Sequence, residues 1–251
     1  MVRAKGDEMA DVRFATAKAE VPGHLAAPGG GGPWPGVVAI HEAFGFNDDI
    51  KGIADRFAEH GYLALAPDFF AGGESRLACV RAAFRELNSG AGPTFDALDA
   101  ARSWLAARDD CTGSVGVVGF CMGGGFALLA APRSGFGAAS VNYGRVPEDA
   151  ERVLAGACPI VASYGGKDRG LRGHPERLER ALTTLGVEHD LKVYPDAGHS
   201  FLNRNSGAMA FVLSKVLNVG YHGPSAEDAW RRILAFFNTH LHAGAGARPE
   251  G

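Results

Sequence analysis

The chain has 251 residues, 46% of them hydrophobic and 21% charged, with a formal net charge of −3 at pH 7 and a mean hydropathy of −0.03. That length and balance suit one sizeable core and argue against wholesale disorder. No apolar run reaches the ~18 residues of a membrane span, and no basic field is present to hold nucleic acid or anionic lipid.

Residues 1–10 carry no periodic signal and are expected to be disordered, with Met9 a second candidate start beside Met1. Residues 1–11 lack the apolar core of a secretory leader, so a reduced, cytoplasmic setting is the default. Residues 11–25 suit one or two antiparallel edge strands. Residues 37–40 are a short apolar run after a Gly/Pro loop and read as a buried strand. Ile50, Ile53, Ala54, Phe57 and Ala58 share helical spacing over 48–60, with Gly61 as a C-cap. A strand follows at 62–66, stopped by Pro67. Helical patterns occupy 75–87 and 94–107. Residues 114–118 are a strand that runs into Gly119, and 121–131 a helix ended by Pro132. Strands at 137–142 and 159–164, a helix at 175–185 and a strand at 188–194 complete the alternation. The last helix is placed at Ser225, with Asp228 three residues on as a capping box. Its apolar face carries Ala229, Trp230, Ile233, Leu234, Phe237 and Leu241. Residues 243–251 are expected to be disordered. Short strands apolar on both faces, separated by amphipathic helices, predict one α/β domain over 11–242: a mostly parallel sheet between two helix layers. Reactive groups of such sheets gather at the carboxyl ends of the strands.

Gly119-Phe120-Cys121-Met122-Gly123 joins a strand to an apolar helix. This is the nucleophile-elbow pattern G-x-S-x-G with cysteine for serine. The tight turn needs close backbone approach, which the glycines permit. Cys121 then sits at a helix N-terminus that favours a thiolate, and the Met122 N–H faces a tetrahedral oxyanion. The alternatives are a buried cysteine in a packing turn or a phosphate loop, but no G-K-[ST] follows. Asp168 lies just past one strand end and His199 just past the next. Nucleophile, acid, histidine is the α/β-hydrolase chain order. Glu42 ends the 37–40 strand beside this site, where a rim salt bridge is the competing role, and the Ala43 backbone is the candidate second oxyanion donor. The remaining cysteines, Cys79, Cys111 and Cys158, form no C-x-x-C or Cys/His ligand spacing with one another or with Cys121, so neither a metal nor a disulfide framework is expected.

These residues resemble the dienelactone hydrolase (carboxymethylenebutenolidase) family. The resemblance rests on His41-Glu-Ala-Phe-Gly, Gly61-Tyr-Leu-Ala-Leu-Ala-Pro-Asp-Phe-Phe, Gly119-Phe-Cys-Met-Gly-Gly, Gly165-Gly-Lys-Asp and Ala197-Gly-His-Ser-Phe. It implies a single-domain α/β-hydrolase that cleaves a lactone or ester through an acyl-enzyme on Cys121. His199 would be the base and Asp168 its orienting acid. Glu42 would hold the resting cysteine as a thiol, in which form it resists oxidation. No cofactor is implied, and the partner is a small lactone or ester, with the chain a monomer or small homo-oligomer. Family enzymes that act on dienelactone hold its carboxylate with two arginines. One lies four residues after the histidine, where this chain has Asn203, with Arg204 one further. The other precedes the elbow, in the region of Arg81, Phe84 and Arg85. Tyr143 and Phe44 are candidate pocket walls. This departure keeps open a broad-specificity carboxylesterase or thioesterase of the same fold, and a non-catalytic ligand-binding relative.

Overall fold

A computed structural model describes residues 8–73, 75–133, 135–204 and 219–242. The expected disorder of 1–7 and 243–251 concerns residues outside these. Strands β1 (Glu8–Ala15) and β2 (Glu20–Ala27) form an antiparallel hairpin. The hairpin is longer at both ends than the 11–25 expected, and its first three residues fall in the segment read as disordered. β3 (Trp34–Ile40), helix α1 (Asp48–Glu59) and β4 (Leu63–Pro67) follow, then helices α2 (Arg76–Ser89) and α3 (Pro93–Ala106). β5 (Cys111–Phe120) leads through Cys121 into α4 (Met122–Ala130). β6 (Phe136–Asn142), short α5 (Ala150–Val153), β7 (Ile160–Gly165), α6 (His174–Leu185), β8 (His189–Tyr194) and α7 (Gly223–His242) complete the order. The sheet order is β1-β2-β4-β3-β5-β6-β7-β8. Among the described residues only β1–β2 and β2–β4 pair antiparallel; β4 to β8 are parallel.

The alternation of strand side chains explains the two layers. Val38 and Ile40 of β3 and Val115 and Val117 of β5 join a core with Phe95, Leu98 and Leu105 of α3, Phe126 of α4 and Leu178 and Leu182 of α6. Val37, Ala39, Val118 and Phe120 face the other way, into a core with Ile50, Ile53 and Phe57 of α1 and Trp230, Ile233 and Phe237 of α7. A strand buried on both faces has no polar side, so the runs read as continuous apolar sequence.

Two expectations are corrected. α7 begins at Gly223, not Ser225, because Pro224 needs no N–H bond in a first turn. Ser225 therefore lies inside the helix, where its hydroxyl pairs with His222 Nδ1 at 2.8 Å. Asp228 is no cap either: it accepts hydrogen bonds from Lys192, Tyr194 and Arg231. The helix before Gly61 is shorter by one residue than expected: α1 ends at Glu59, His60 is its C-cap, and Gly61 follows with φ 87°.

Candidate active site

The parallel strands deliver four groups to one rim. Glu42 follows β3, Cys121 follows β5, Asp168 follows β7 and His199 follows β8. Cys121 takes φ 53°, ψ −114° between strand and helix. A Cβ on Gly119 would lie 2.0 Å from the Gly123 carbonyl oxygen, and one on Gly123 2.4 Å from that of Ile40. Any side chain at either place would force the strands and α4 apart. The Cys121 N–H is spent on the Asn142 carbonyl at 3.0 Å. The Met122 N–H, at the first helical position, has no intrahelical acceptor.

His199 Nδ1 meets Asp168 Oδ2 at 2.6 Å; a carboxylate only accepts, so Nδ1 carries the proton. Asp168 is buried and also accepts from the Gly170 N–H at 3.0 Å. Cys121 lies close enough to the imidazole to act on it, as Asp168 does. Burial disfavours a charged ring, but the bonds to Asp168 and Cys121 outweigh it and raise the His199 pKa to about 10. Tyr143 packs its ring on His199 with centroids 5.2 Å apart. Its hydroxyl donates to Asn203 Oδ1, and Asn203 in turn donates to Asp49 on α1 at 2.5 Å. Burial, with Glu42, Asp49 and Cys121 nearby, pushes the Tyr143 phenol well up, so it stays a neutral donor. Glu42 is buried, and its Oε1 accepts from Ser200 Oγ at 2.5 Å.

Cys121, His199 and Asp168 therefore meet, with Glu42 on the same rim. Tyr143 is buried beneath the imidazole, a support as much as a wall, and Phe44 is half-buried in the turn after Glu42. The arginines do not gather. Arg81 and Arg85 are exposed on α2, one turn apart. Arg204 stacks on Tyr221 with its guanidinium 4.3 Å from the ring centroid and donates to that hydroxyl. It lines a cavity of about 380 Å³ with Asp49, Arg56 and Trp230, a cavity that Cys121 and His199 do not line. The sequence reading missed Ser200 and Asp49 as partners of the site. Ser200 adjoins the histidine, but Asp49 is visible only once α1 packs beside the loop after β8. Among the described residues no cluster of three His, Cys, Asp or Glu could hold a metal ion.

Comparison with known proteins fixes the family. The dienelactone hydrolase family profile matches residues 21–241. The chain belongs to that family. A Yersinia pestis protein provisionally named a carboxymethylenebutenolidase is 31% identical over 240 residues, spanning 88% of this chain and 84% of its own. One of the same provisional name from Escherichia coli K12 is 29% identical over 226 residues, 83% of this chain and 78% of its own. The crystal structure of a provisionally assigned dienelactone hydrolase from Klebsiella pneumoniae superposes with a TM-score of 0.76 at 26% identity, covering 93% of this chain and 99% of that one. This member of the dienelactone hydrolase family is thus an α/β-hydrolase acting on ester or lactone bonds, and among its described residues no helix is long and apolar enough to cross a membrane.

Proposed function

We propose that the chain hydrolyses a small carboxylic ester or lactone through an acyl-enzyme on Cys121. The observation that carries this reading is the imidazole of His199 held between a buried carboxylate at 2.6 Å and the thiol of a residue strained to φ 53°. His199, its pKa raised, takes the thiol proton and holds it as the imidazolium while Sγ bonds the carbonyl carbon. The oxyanion is met by the Met122 and Ala43 N–H groups. Collapse breaks the carbon–oxygen bond, and His199 returns the proton to the leaving alkoxide. Water then attacks the thioester with His199 as base, releasing the acid. Asp168 keeps the ring in one tautomer throughout. Glu42, fixed by Ser200, sets a buried carboxyl group on the same rim. A reduced, cytoplasmic setting fits free Cys79, Cys111, Cys121 and Cys158.

Cys121→Ala is expected to cut p-nitrophenyl ester turnover by ~10⁴-fold or more, as removal of one member of a cooperating triad does. Cys79→Ala and Cys158→Ala should stay near wild type. Wild-type turnover by Cys121→Ala would end the assignment.

An enol-lactone is the first substrate class to test. The second reading, a broad carboxylesterase or thioesterase, draws support from Asn203 and Arg204. The position four residues after His199 carries a neutral amide tied to Tyr143 and Asp49, and Arg204 is engaged with Tyr221. Equal kcat/KM for a carboxylate-bearing lactone and its neutral methyl ester would favour the broad enzyme; a strong preference for the anion would favour the lactonase.

A further inference from the structure

His41 is a polar residue in a place that packing alone would fill with an apolar one. It directly follows β3, is 1% exposed, and packs against the rings of Phe69 and Phe70 at 5.7 and 4.7 Å between centroids. Its Nε2 is buried with no hydrogen-bond partner among the described residues. Leaving such an atom unpaired is costly. Its Nδ1, however, lies 2.8 Å from the carbonyl oxygen of Glu42. A carbonyl only accepts, so the proton is on Nδ1 and the lone pair on Nε2. Burial lowers the pKa of this ring and keeps it neutral.

The same Glu42 carbonyl accepts a second hydrogen bond, from the Gly45 N–H at 2.9 Å. Two donors thus hold one oxygen. In a trans peptide the C=O and the following N–H lie in one plane and point in opposite directions. Fixing the Glu42 carbonyl therefore fixes where the Ala43 N–H points, and a carbonyl that accepts hydrogen bonds makes the N–H of its own peptide a stronger donor. The turn is anchored at its root as well. A Cβ on Gly123 would lie 2.7 Å from the His41 carbonyl oxygen, so the backbone entering the turn is seated on the first turn of α4, which supplies the Met122 N–H.

We propose that His41 is a positioning residue for the oxyanion site: its Nδ1–H pins the Glu42 carbonyl and so aims the Ala43 N–H at the oxygen that becomes negative during acyl transfer. The proposal rests on the acyl-enzyme reading above. It accounts for a buried histidine with an idle nitrogen: one nitrogen works, and no smaller apolar side chain could supply the donor.

The test compares His41→Phe, which keeps an aromatic ring against Phe70 but removes the donor, with His41→Asn, whose amide can replace Nδ1–H. Loss of one oxyanion donor costs ~10²–10³ in kcat, and a misdirected donor costs less, so His41→Phe should lower kcat on p-nitrophenyl acetate by about 10–100-fold. KM should change less than about twofold, and iodoacetamide should alkylate Cys121 at the wild-type rate, because alkylation forms no oxyanion. His41→Asn should recover most of the loss. Unchanged kcat in His41→Phe, or parallel loss of kcat and alkylation, would overturn the proposal. If His41→Phe does not fold, nitrogen-detected NMR of the wild-type protein decides: a neutral ring protonated at Nδ1 is expected, and an Nε2–H tautomer refutes it. Failure of Cys121→Ala to abolish turnover would instead refute the hydrolytic reading on which this one stands.

Discussion

Cys121, Tyr143 and Ser200 are the non-glycine residues with positive φ among those described, at 53°, 41° and 59°. All three border His199: one by its thiol, one by its ring, one by chain adjacency. Such conformations cost ~1–3 kcal/mol each and persist where the surroundings over-determine them. Around Ser200 that surrounding includes its bond to Glu42. Ser200→Ala is expected to destabilise the protein by about 1.5–3 kcal/mol, the range for a hydrogen bond to a charged group. Urea unfolding measures it; an unchanged midpoint would mean that the hydroxyl does not hold the carboxylate. Residue types at strand ends make Cys121, Asp168, His199 and Glu42 legible in the amino-acid sequence alone. The arginines are not legible in the same way. Whether Arg81 or Arg85 turns toward the elbow depends on the rotation of α2 about its axis, which its mixed surface, with Leu77 and Phe84 exposed among arginines, does not announce.

At the scale of elements, the apolar strands and amphipathic helices stand out in the sequence, because strand burial and helical period are local signals. What the sequence hides depends on partners. The start of α7 is set by Pro224 and by packing of its apolar face on α1. α5 has four residues, too few for a periodic signal. The contact that builds the site is between α4 and β3. Gly123 lies where a Cβ would meet the Ile40 and His41 carbonyl oxygens at 2.4 and 2.7 Å. These are backbone atoms and cannot swing aside. Gly123→Ala is therefore expected to cost ~1–3 kcal/mol, as overpacking does, and to lower kcat by moving Met122 away from the 42–45 turn. Wild-type stability and kcat in this variant would show that the two elements are free to separate.

For the molecule as a whole, the shifted groups divide about pH 6.5. His41 and His174 are lowered, chiefly by burial. The unfolded chain takes up their protons first, so their share of stability is whole above pH 6.5 and drains as pH falls below it. Glu227 and Asp228, held low mainly by Arg56 and Lys192, extend this acid arm once carboxylates begin to protonate. His199 runs the other way. Its share is whole below pH 6.5 and is lost as pH rises toward about 10. Burial raises Cys158, Tyr62 and Tyr194 to about 12; the unfolded chain ionises these first, so they steepen the alkaline arm above pH 9. Stability should therefore peak between about pH 6 and 7. Asp168→Asn separates the triad from the rest: it removes the carboxylate partner that raises His199. The decline in Tm between pH 7 and 9 should become shallower than in wild type, while the acid arm keeps its slope. An unaltered decline over that window would mean that His199 does not hold its proton against Asp168, and the geometry at 2.6 Å would then have no electrostatic consequence.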